Sequence, residues 1–469
     1  MIPAARAVVD AYFLRDAGVE PPQVARILYA DGSAGPEFRR GIDLELSHWV
    51  PNTTPARWKA DTSTEICLRF AADPPGERYD LAVNNHVDVD GILSLFSLVH
   101  SSLALAHRDV VLGAAEMGDF SAGVDRPAFR LAHELTMLLD ESRKAGWDAR
   151  TSYERAFALT QSVLSGDRAE HADVERAWAI LERGQARIAS GEVQIERVGE
   201  HFVSYRLPLL EGDDLARALR VPSFNPLIDD SIWLWPHARR RRYGQHAELV
   251  SVRATEGWFH DLWLPGYVWA DTPNRWSVPG LLATGSSNEW RIERPTLRLA
   301  FSKLRDAEHG TGTWTIADRL TPFATLNGRG FPVVASFVDD AGAPAVSSLD
   351  PSTVAAVLSP AFEVAGVREV EHMAGKGSRA PLDPTRRYVF HRTIALGDGD
   401  KWELGIPYRQ RGSWDDYGVV EHEEQDALVE ALITSLGIAR TAAYPGTWYF
   451  ADAAAVERLW SALRDCIIP

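Results

Sequence analysis

Residues 79–99 have the sequence YDLAVNNHVDVDGILSLFSLV. An apolar run from Tyr79 to Asn85 ends in polar residues, and the bulky residues from Gly91 to Val99 suit a buried helix. We therefore predict a strand, a turn over His86 to Gly91 and a helix. Such a turn would lie at the carboxyl edge of a sheet, where open α/β sheets bind their ligands.

The surrounding segments predict that residues 1–200 form one α/β domain. Glu65 to Phe70 alternates with period two and predicts a further strand, whereas the pattern from Asp109 to Arg187 is helical. Asp125 followed by Pro127 is a good helix start. This alternation of strands and helices indicates an open, mainly parallel sheet with flanking helices.

Beyond about residue 200 the sequence changes to alternating runs rich in Trp, Tyr, Val and Thr, as in His201 to Leu207 and Ala247 to Arg253. Tyr388 to Ile394 and Lys401 to Ile406 flank an Asp-Gly pair, which is a strong hairpin signal. We predict a second domain over residues 201–469, of α+β type and rich in antiparallel strands, that binds or closes over a substrate. Two helices are predicted at its end, Glu424 to Ser435 and Ala453 to Leu463.

Length and charge limit the classes of function. A chain of 469 residues with 45% hydrophobic and 24% charged residues is typical of a globular protein of more than one domain. The net charge of -16 disfavours binding to nucleic acid or to anionic lipid. We expect a small-molecule substrate, which can be anionic if a metal or an arginine cluster reverses the local charge. A homodimer is left open.

Cysteine usage and the N-terminus indicate the compartment. Cys67 and Cys466 are the only cysteines, which excludes a disulfide framework and a cysteine-based zinc site. Residues 1–10 lack a basic segment followed by an apolar stretch, and no run approaches about 20 apolar residues. These features favour a reducing compartment, and we expect a cytoplasmic protein without a membrane span.

The predicted turn carries the residues most suited to chemistry. His86, Asp88 and Asp90 alternate along it, so an imidazole and two carboxylates can converge on one divalent cation. Gly91 permits the close backbone approach that such a curl needs. The alternative is that Asp88 and Asp90 cap the following helix. One cap explains one aspartate only, so a metal site is favoured.

The segment from Asn85 to Ser94 resembles the first motif of the DHH phosphoesterases, an Asp-x-Asp-Gly turn after a strand with a small residue three positions beyond the glycine. That family has an α/β metal-binding domain and a closing second domain, and it hydrolyses phosphodiester or phosphoanhydride bonds with two manganese or similar ions. The resemblance implies metal ligation by His86, Asp88 and Asp90. It implies manganese as the first choice of cofactor, with zinc or iron as alternatives.

The same resemblance implies a fourth ligand and has one clear gap. In the family the next sheet strand brings another aspartate to the metals, and Asp119 in Gly118-Asp119-Phe120 corresponds to it. The paired-histidine motif that names the family is absent, because no two histidines of this chain are adjacent.

A second resemblance is to an uncharacterised bacterial family. It is carried by the ordered segments Leu46 to Trp49, Asn52 to Pro55 and Lys59 to Glu65, followed by the His86 turn. His48 and Asp61 within these segments are candidate metal ligands in place of the missing histidine pair. The alternative for His48 is a packed, hydrogen-bonded residue beside a tryptophan.

Four basic residues are candidates for substrate binding. Arg239 opens a run of four arginines in an otherwise acidic chain, and guanidinium groups bind phosphate or carboxylate in a bidentate manner. Arg329 lies between glycines, and Lys376 and Arg379 occupy a glycine-containing loop. The alternatives are a solvated turn, an ion-paired surface or a mobile loop.

The chain lacks the P-loop motif, the Gly-x-Gly-x-x-Gly motif and the Gly-x-Ser-x-Gly motif, so three common enzyme classes lose their usual support. We expect a divalent-metal-dependent hydrolase in which metal-activated water attacks a phosphoester or related bond, with Asp88 and Asp90 as catalytic residues. One alternative is a metal-dependent hydrolase or lyase of a small non-phosphate substrate. Another is a non-catalytic binding protein with a degenerate phosphoesterase-like fold.

Overall fold

A computed structural model of the protein describes most of the chain. The described residues are 8–15, 21–32, 34–35, 37–49, 52–223, 225–244, 246–265, 270–272, 274–276, 295–317, 325–326, 329–330, 332–362, 370–377, 382, 387–396, 401–406, 422–444 and 446–468. Within these ranges the chain is of mixed α/β type, as predicted. It contains a parallel sheet with helices, a mixed sheet and an antiparallel sheet.

The first sheet has four parallel strands in the spatial order β1-β4-β2-β3. Its strands are β1 (Tyr12–Leu14), β2 (Ile27–Ala30), β3 (Leu44–Leu46) and β4 (Leu81–Asn84). Because all four run in the same direction, their carboxyl ends share one edge. The predicted parallel sheet and the strand before the His86 turn are therefore confirmed.

Seven helices accompany this sheet. They are α1 (Ser63–Ala72), α2 (Val89–Val99), α3 (Ser101–Ala106), α4 (Arg108–Phe120), α5 (Arg126–Ala145), α6 (Ala149–Leu164) and α7 (Ala172–Ala189). Helix α2 is buried on all sides from Val89 to Leu98 and packs against α1 and α4. Asp125 caps α5 by accepting from the backbone N–H of Ala128, as the sequence predicted.

The prediction of a strand over Glu65 to Phe70 is wrong, since these residues belong to α1. The Thr62 hydroxyl accepts from the backbone N–H of Glu65 and starts the helix. Cys67 is buried together with the alternating apolar residues around it, so both faces of this segment are covered. A short apolar run with two covered faces has no periodicity that separates a strand from a helix.

The second sheet is mixed, with the spatial order β5-β6-β7-β8-β12-β9. Its strands are β5 (Gln194–Arg197), β6 (Phe202–Leu209), β7 (Ala247–Ala254), β8 (Gly257–Trp263), β9 (Thr313–Ile316) and β12 (Val333–Val338). Strands β6 and β7 are parallel, and the other neighbours are antiparallel. The predicted domain boundary at residue 200 falls between β5 and β6, which are paired in this sheet.

Shorter elements complete this part of the chain. They are α8 (Gly212–Ala218), α9 (Pro236–Tyr243), α10 (Pro295–Ala307), α11 (Pro351–Leu358), a 3-10 turn (Ser359–Ala361), β10 (Thr325–Leu326) and β11 (Arg329–Gly330).

The third sheet is antiparallel and has its own buried cluster, with the order β16-β17-β15-β14-β13-β18. Its elements are β13 (Val370–Gly377), β14 (Arg387–Leu396), β15 (Lys401–Gly405), α12 (His422–Ser435), β16 (Ala442–Tyr444), β17 (Thr447–Phe450), α13 (Ala453–Cys466) and β18 (Ile467–Ile468). The predicted pairing of β14 with β15 and both terminal helices are confirmed. The Asp-Gly turn at 397–400 lies outside the described residues. None of the described helices is both long enough and apolar enough to cross a membrane.

Candidate metal centre

Six acidic and imidazole side chains meet at the carboxyl edge of the first sheet. Each follows a strand of that sheet or belongs to a helix packed beside it. They are Asp31 after β2, His48 after β3, His86 and Asp88 after β4, Asp90 in the first turn of α2 and Asp119 near the end of α4. All except His86 are buried.

Five of these residues form two groups that share Asp31. The outer group is Asp31, His86 and Asp88, and the inner group is Asp31, His48 and Asp90. In each group one ligand atom from every residue lies within 4.8 Å of the others. The side chains of His86 and Asp88 are 26% and 12% exposed, whereas those of His48 and Asp90 are each 1% exposed. The outer group therefore faces solvent and the inner group is enclosed.

The inner group is slightly wider than a set of ligands around one cation. His48 Nε2 lies 3.7 Å from Asp31 Oδ1, 3.7 Å from Asp90 Oδ2 and 3.6 Å from Asp119 Oδ2. These separations are too long for hydrogen bonds. Two atoms that each lie about 2.1 Å from an ion are about 3.0 to 3.4 Å apart, depending on the angle, so a small contraction would complete the shell.

A backbone carbonyl sets the tautomer of His48. Nδ1 lies 2.6 Å from the carbonyl oxygen of Asp61, and a carbonyl can only accept. Nδ1 therefore carries a proton, and Nε2 is the ring atom that faces the carboxylates. Metal-binding histidines commonly have this second hydrogen bond, which fixes the orientation of the ring.

The outer group contains a close but imperfect pair. His86 Nε2 lies 2.8 Å from Asp31 Oδ2 and 3.5 Å from Asp88 Oδ2. Neither His86 Nε2 nor Asp31 Oδ2 makes a hydrogen bond of acceptable geometry with any described residue. His86 Nδ1 lies 2.9 Å from the side-chain oxygen of Asn85, so this ring also directs Nε2 towards the carboxylates.

The two aspartates of the turn are held differently. Asp88 caps α2, because its Oδ1 accepts from the backbone N–H of Gly91 at 2.8 Å, while its Oδ2 is the atom that faces His86. Asp90 accepts from the backbone N–H groups of Ser63 and Thr64, both at 2.9 Å. Helix capping therefore accounts for one oxygen of Asp88. Asp90 binds the N-terminus of α1 and does not cap its own helix.

Two carboxyl groups of the centre have raised pKa values. Burial, reinforced by the charge of Asp31, raises the pKa of Asp90 to about 6. Burial and the charges of Asp90, Asp88 and Asp31 raise the pKa of Asp119 well above its usual value. Burial opposes ionisation of Asp31 as well, but the positive charge of His86 lowers the pKa of Asp31 to about 2.

The pKa of His86, in the outer group, is also raised. Burial opposes its charged form, but attraction to Asp31 and Asp88 is stronger and raises the pKa of His86 well above 6.5. Asp119 Oδ2 makes no hydrogen bond among the described residues, whereas Asp31 Oδ2 is paired with His86 at 2.8 Å. Crowded buried carboxylates with orphaned oxygens are costly unless a cation binds them, so these residues fit a metal.

Gly91 leaves the space that the centre needs. A Cβ atom at this position would lie 2.4 Å from Asn84 Nδ2, 3.0 Å from Asp31 Oδ2 and 3.1 Å from Asp88 Oδ1. Real Cβ atoms do not approach a neighbour to 2.4 Å, so any side chain here would displace Asn84, which lies beside the outer group.

Asp31 is the residue that sequence reasoning missed. Its signal is the apolar run Ile27 to Ala30 followed by Asp31-Gly32, a pattern like that of β4 and its polar turn. Asp31 has a φ of 59°, a left-handed conformation that is uncommon for a residue other than glycine. Its Oδ1 accepts from Trp49 Nε1 and from Ser63 Oγ, both at 2.8 Å, so the surrounding fold holds it in place.

Two predicted metal ligands need correction. Asp119 reaches the centre from helix α4, and the sheet strand expected to carry it does not exist. The Asp61 carboxylate accepts from the backbone N–H groups of Asn274, Arg275 and Trp276 at 2.6 to 3.0 Å. Asp61 therefore contacts His48 through its carbonyl, while its carboxylate is occupied by three backbone hydrogen bonds.

Two of the four basic candidates lie in the part of the chain that the structure describes in full. Arg239 is 2% exposed and pairs with Glu248 at 3.0 Å, which corrects the prediction of a substrate-binding arginine. Lys376 is exposed on β13 of the third sheet. The side chain of Arg329 and the whole of Arg379 lie outside the described residues.

Comparison with known protein families gives a match over part of the chain. Residues 24–206 match a family model described as a family of unknown function (DUF6687). The matched range contains all six side chains of the centre. Neither the curated proteins nor the solved structures contain a significant match to this chain.

Proposed function

We propose that the centre binds two divalent cations, manganese first among them, and that the protein is a metal-dependent hydrolase of phosphoester or related bonds. The observation that carries the proposal is Asp31, which belongs to two ligand groups that each contain one imidazole and two carboxylates. Mixed imidazole and carboxylate sets suit manganese, zinc and iron. The likeness of the turn to the first DHH motif supports the same chemistry.

The charge of the centre agrees with two cations. Four carboxylates, those of Asp31, Asp88, Asp90 and Asp119, are balanced by two divalent ions. When bound there, such ions would lower the pKa of a water and polarise the scissile group of the substrate. Divalent ions would also give a small anionic substrate a favourable potential in a chain of net charge -16.

The two groups have different tasks in this proposal. The inner group is enclosed and supplemented by Asp119, as in a site whose cation has a supporting role. The outer group retains the exposure that an incoming water or substrate requires. Asp88 is the more accessible of the two turn aspartates, because its side chain is 12% exposed and only its Oδ1 accepts a backbone hydrogen bond, whereas both oxygens of Asp90 do.

Titration with manganese tests the proposal. Wild-type protein should bind two ions per chain in calorimetry, and Asp31→Asn should lose both, because the two groups share this carboxylate. Asp43→Asn is the matched control, since Asp43 is also buried but accepts from the backbone N–H of Ile27 and from Arg39. It should keep both ions.

Turnover then separates the classes of function. Hydrolysis of p-nitrophenyl phosphate or bis(p-nitrophenyl) phosphate that requires manganese and is lost in Asp31→Asn supports the proposal. Bound metal with neither substrate hydrolysed favours a hydrolase or lyase of a non-phosphate substrate. Failure to bind manganese, zinc or iron at any loading would leave a binding protein as the better account.

A further inference from the structure

Access to the centre is limited to one side. Asp31, His48, Asp90 and Asp119 are all at most 3% exposed, whereas Asp88 and especially His86 are reached by solvent. A substrate of the proposed enzyme must therefore approach past the outer group.

A cavity of about 430 Å³ begins at that point. This volume is within the range of small-molecule sites. Val87 and Asp88 form one wall, the end of α5 with Leu139 and Arg143 forms another, and Ala149 at the start of α6 closes it together with Asn225. The cavity thus extends from Asp88, the one residue of the outer group that lines it, to a separate set of polar and apolar groups.

Two of its lining residues indicate the chemistry of a ligand. Asn225 lines the cavity, and its side-chain oxygen, which solvent does not reach, has no hydrogen-bond partner among the described residues, so a rotation of the side chain would let it accept from a ligand hydroxyl. Asn225 has a φ of 45°, so the chain is held in a restricted conformation there. Arg143 is 67% exposed at the rim and lies 3.7 Å from Asp140, which leaves most of its donors available to an anion.

We propose that this cavity binds the organic part of a small, hydroxyl-bearing phosphate ester of about the size of a sugar phosphate. The phosphate would lie at the outer group and a hydroxyl would donate to Asn225. This inference rests on the proposed function and adds its substrate class. Apolar contact with Val87 and Leu139 would favour such an ester over inorganic phosphate.

Binding of two probes to the manganese-loaded full chain tests the inference. Inorganic phosphate needs only the cations, whereas ribose 5-phosphate can also fill the cavity. We expect ribose 5-phosphate to bind about tenfold more tightly, the gain that one added hydrogen bond typically gives. Asn225→Gly, which keeps the left-handed backbone, and Ala149→Phe, which fills the cavity, should remove this gain and leave phosphate affinity unchanged.

Ala145→Phe is the matched control, because Ala145 is exposed at the end of α5 and does not line the cavity. It should keep the tenfold preference. Equal affinity for the two probes in the wild type, or an undiminished preference in Ala149→Phe, would overturn the inference. Failure of the proposed function is seen earlier, as an absence of manganese binding before any probe is added, and the inference then fails with it.

Discussion

His48 Nδ1 lies 2.6 Å from the carbonyl oxygen of Asp61, and this contact joins the inner group to the second half of the chain. The carboxylate of Asp61 is held by the backbone of residues 274–276. The carbonyl of His48 itself accepts from the backbone N–H of Asp271 at 2.7 Å. A segment between strands β8 and β9 of the second sheet thus fixes the position of a candidate ligand at the edge of the first sheet.

Asp61→Asn tests this arrangement. The variant loses one charged acceptor for the 274–276 backbone, so Asp61 and the ring of His48 should be held less firmly. We expect manganese affinity to fall about tenfold or more, as for other residues that orient metal ligands, with the number of bound ions unchanged. We would measure the manganese affinity by calorimetric titration of the wild type, Asp61→Asn and Asp43→Asn. Asp43→Asn should lower stability alone, and equal affinity in all three proteins would show that Asp61 does not position His48.

Gly91→Ala should distort the outer group and weaken its binding of a cation. Alanine is favoured over glycine within a helix by about 1 kcal/mol, but its Cβ would lie 2.4 Å from Asn84 Nδ2. The clash should dominate and weaken binding of the outer cation about tenfold or more. Gly76→Ala is the control, because nothing lies within 4 Å of a Cβ placed there. Manganese titration that gives the same affinities for both variants would contradict the geometry described for the turn.

Tyr153→Phe should loosen the turn that carries His86. The Tyr153 hydroxyl donates to the carbonyl of His86 at 2.9 Å and accepts from Asn84 Nδ2 at 2.8 Å. Its loss leaves buried polar groups unsatisfied, so we expect the free energy of unfolding to fall by about 1 to 3 kcal/mol. Urea denaturation measures this change.

The metal affinity of Tyr153→Phe distinguishes an effect on the turn from a general loss of stability. Tyr205→Phe is the matched control, because Tyr205 is also buried and its hydroxyl donates to the carbonyl of Arg239 at 3.0 Å. Both variants should lose stability, but only Tyr153→Phe should bind the outer cation more weakly. Parallel losses of affinity in both would remove Tyr153 from the account of the centre.

The stability of the cation-free protein should depend on pH through Asp119. Its pKa is raised in the folded state, so above about pH 4 the unfolded chain releases this proton more readily. The folded state is therefore penalised increasingly as pH rises from about 4 to 7. Asp119→Asn removes the penalty, and its melting temperature in the presence of a chelator should rise relative to wild type across this range. A difference that stays constant or falls would contradict the assignment.

Bound cations should make the stability of the protein rise with pH, because the ligands must lose their protons before they bind metal. The increase in melting temperature caused by manganese should therefore grow from pH 5 to pH 7.5.

The local features of the centre could be predicted from the sequence. An apolar run, an Asp-x-Asp-Gly turn and a second apolar run lie within 21 residues, and β4 and α2 follow this pattern closely. The capped starts of α5 and α6 are equally local, since one aspartate accepts from a backbone N–H three residues later.

The features that depend on tertiary structure could not be predicted from the sequence. Asp31 and His86 are 55 residues apart and meet only because β2 and β4 are neighbours in the sheet. Asp61 is held by residues more than 200 positions away. The arginine run does not reveal its own environment, because Arg239, in helix α9, is buried against Glu248 of strand β7.

A crystal of the full chain grown with manganese, examined by anomalous diffraction, tests the central claim most directly. We predict two anomalous peaks on either side of Asp31, one bound by His86 and Asp88 and the other by His48 and Asp90. No peak at this edge of the sheet, or peaks for which Asp31 is not a ligand, would contradict the account.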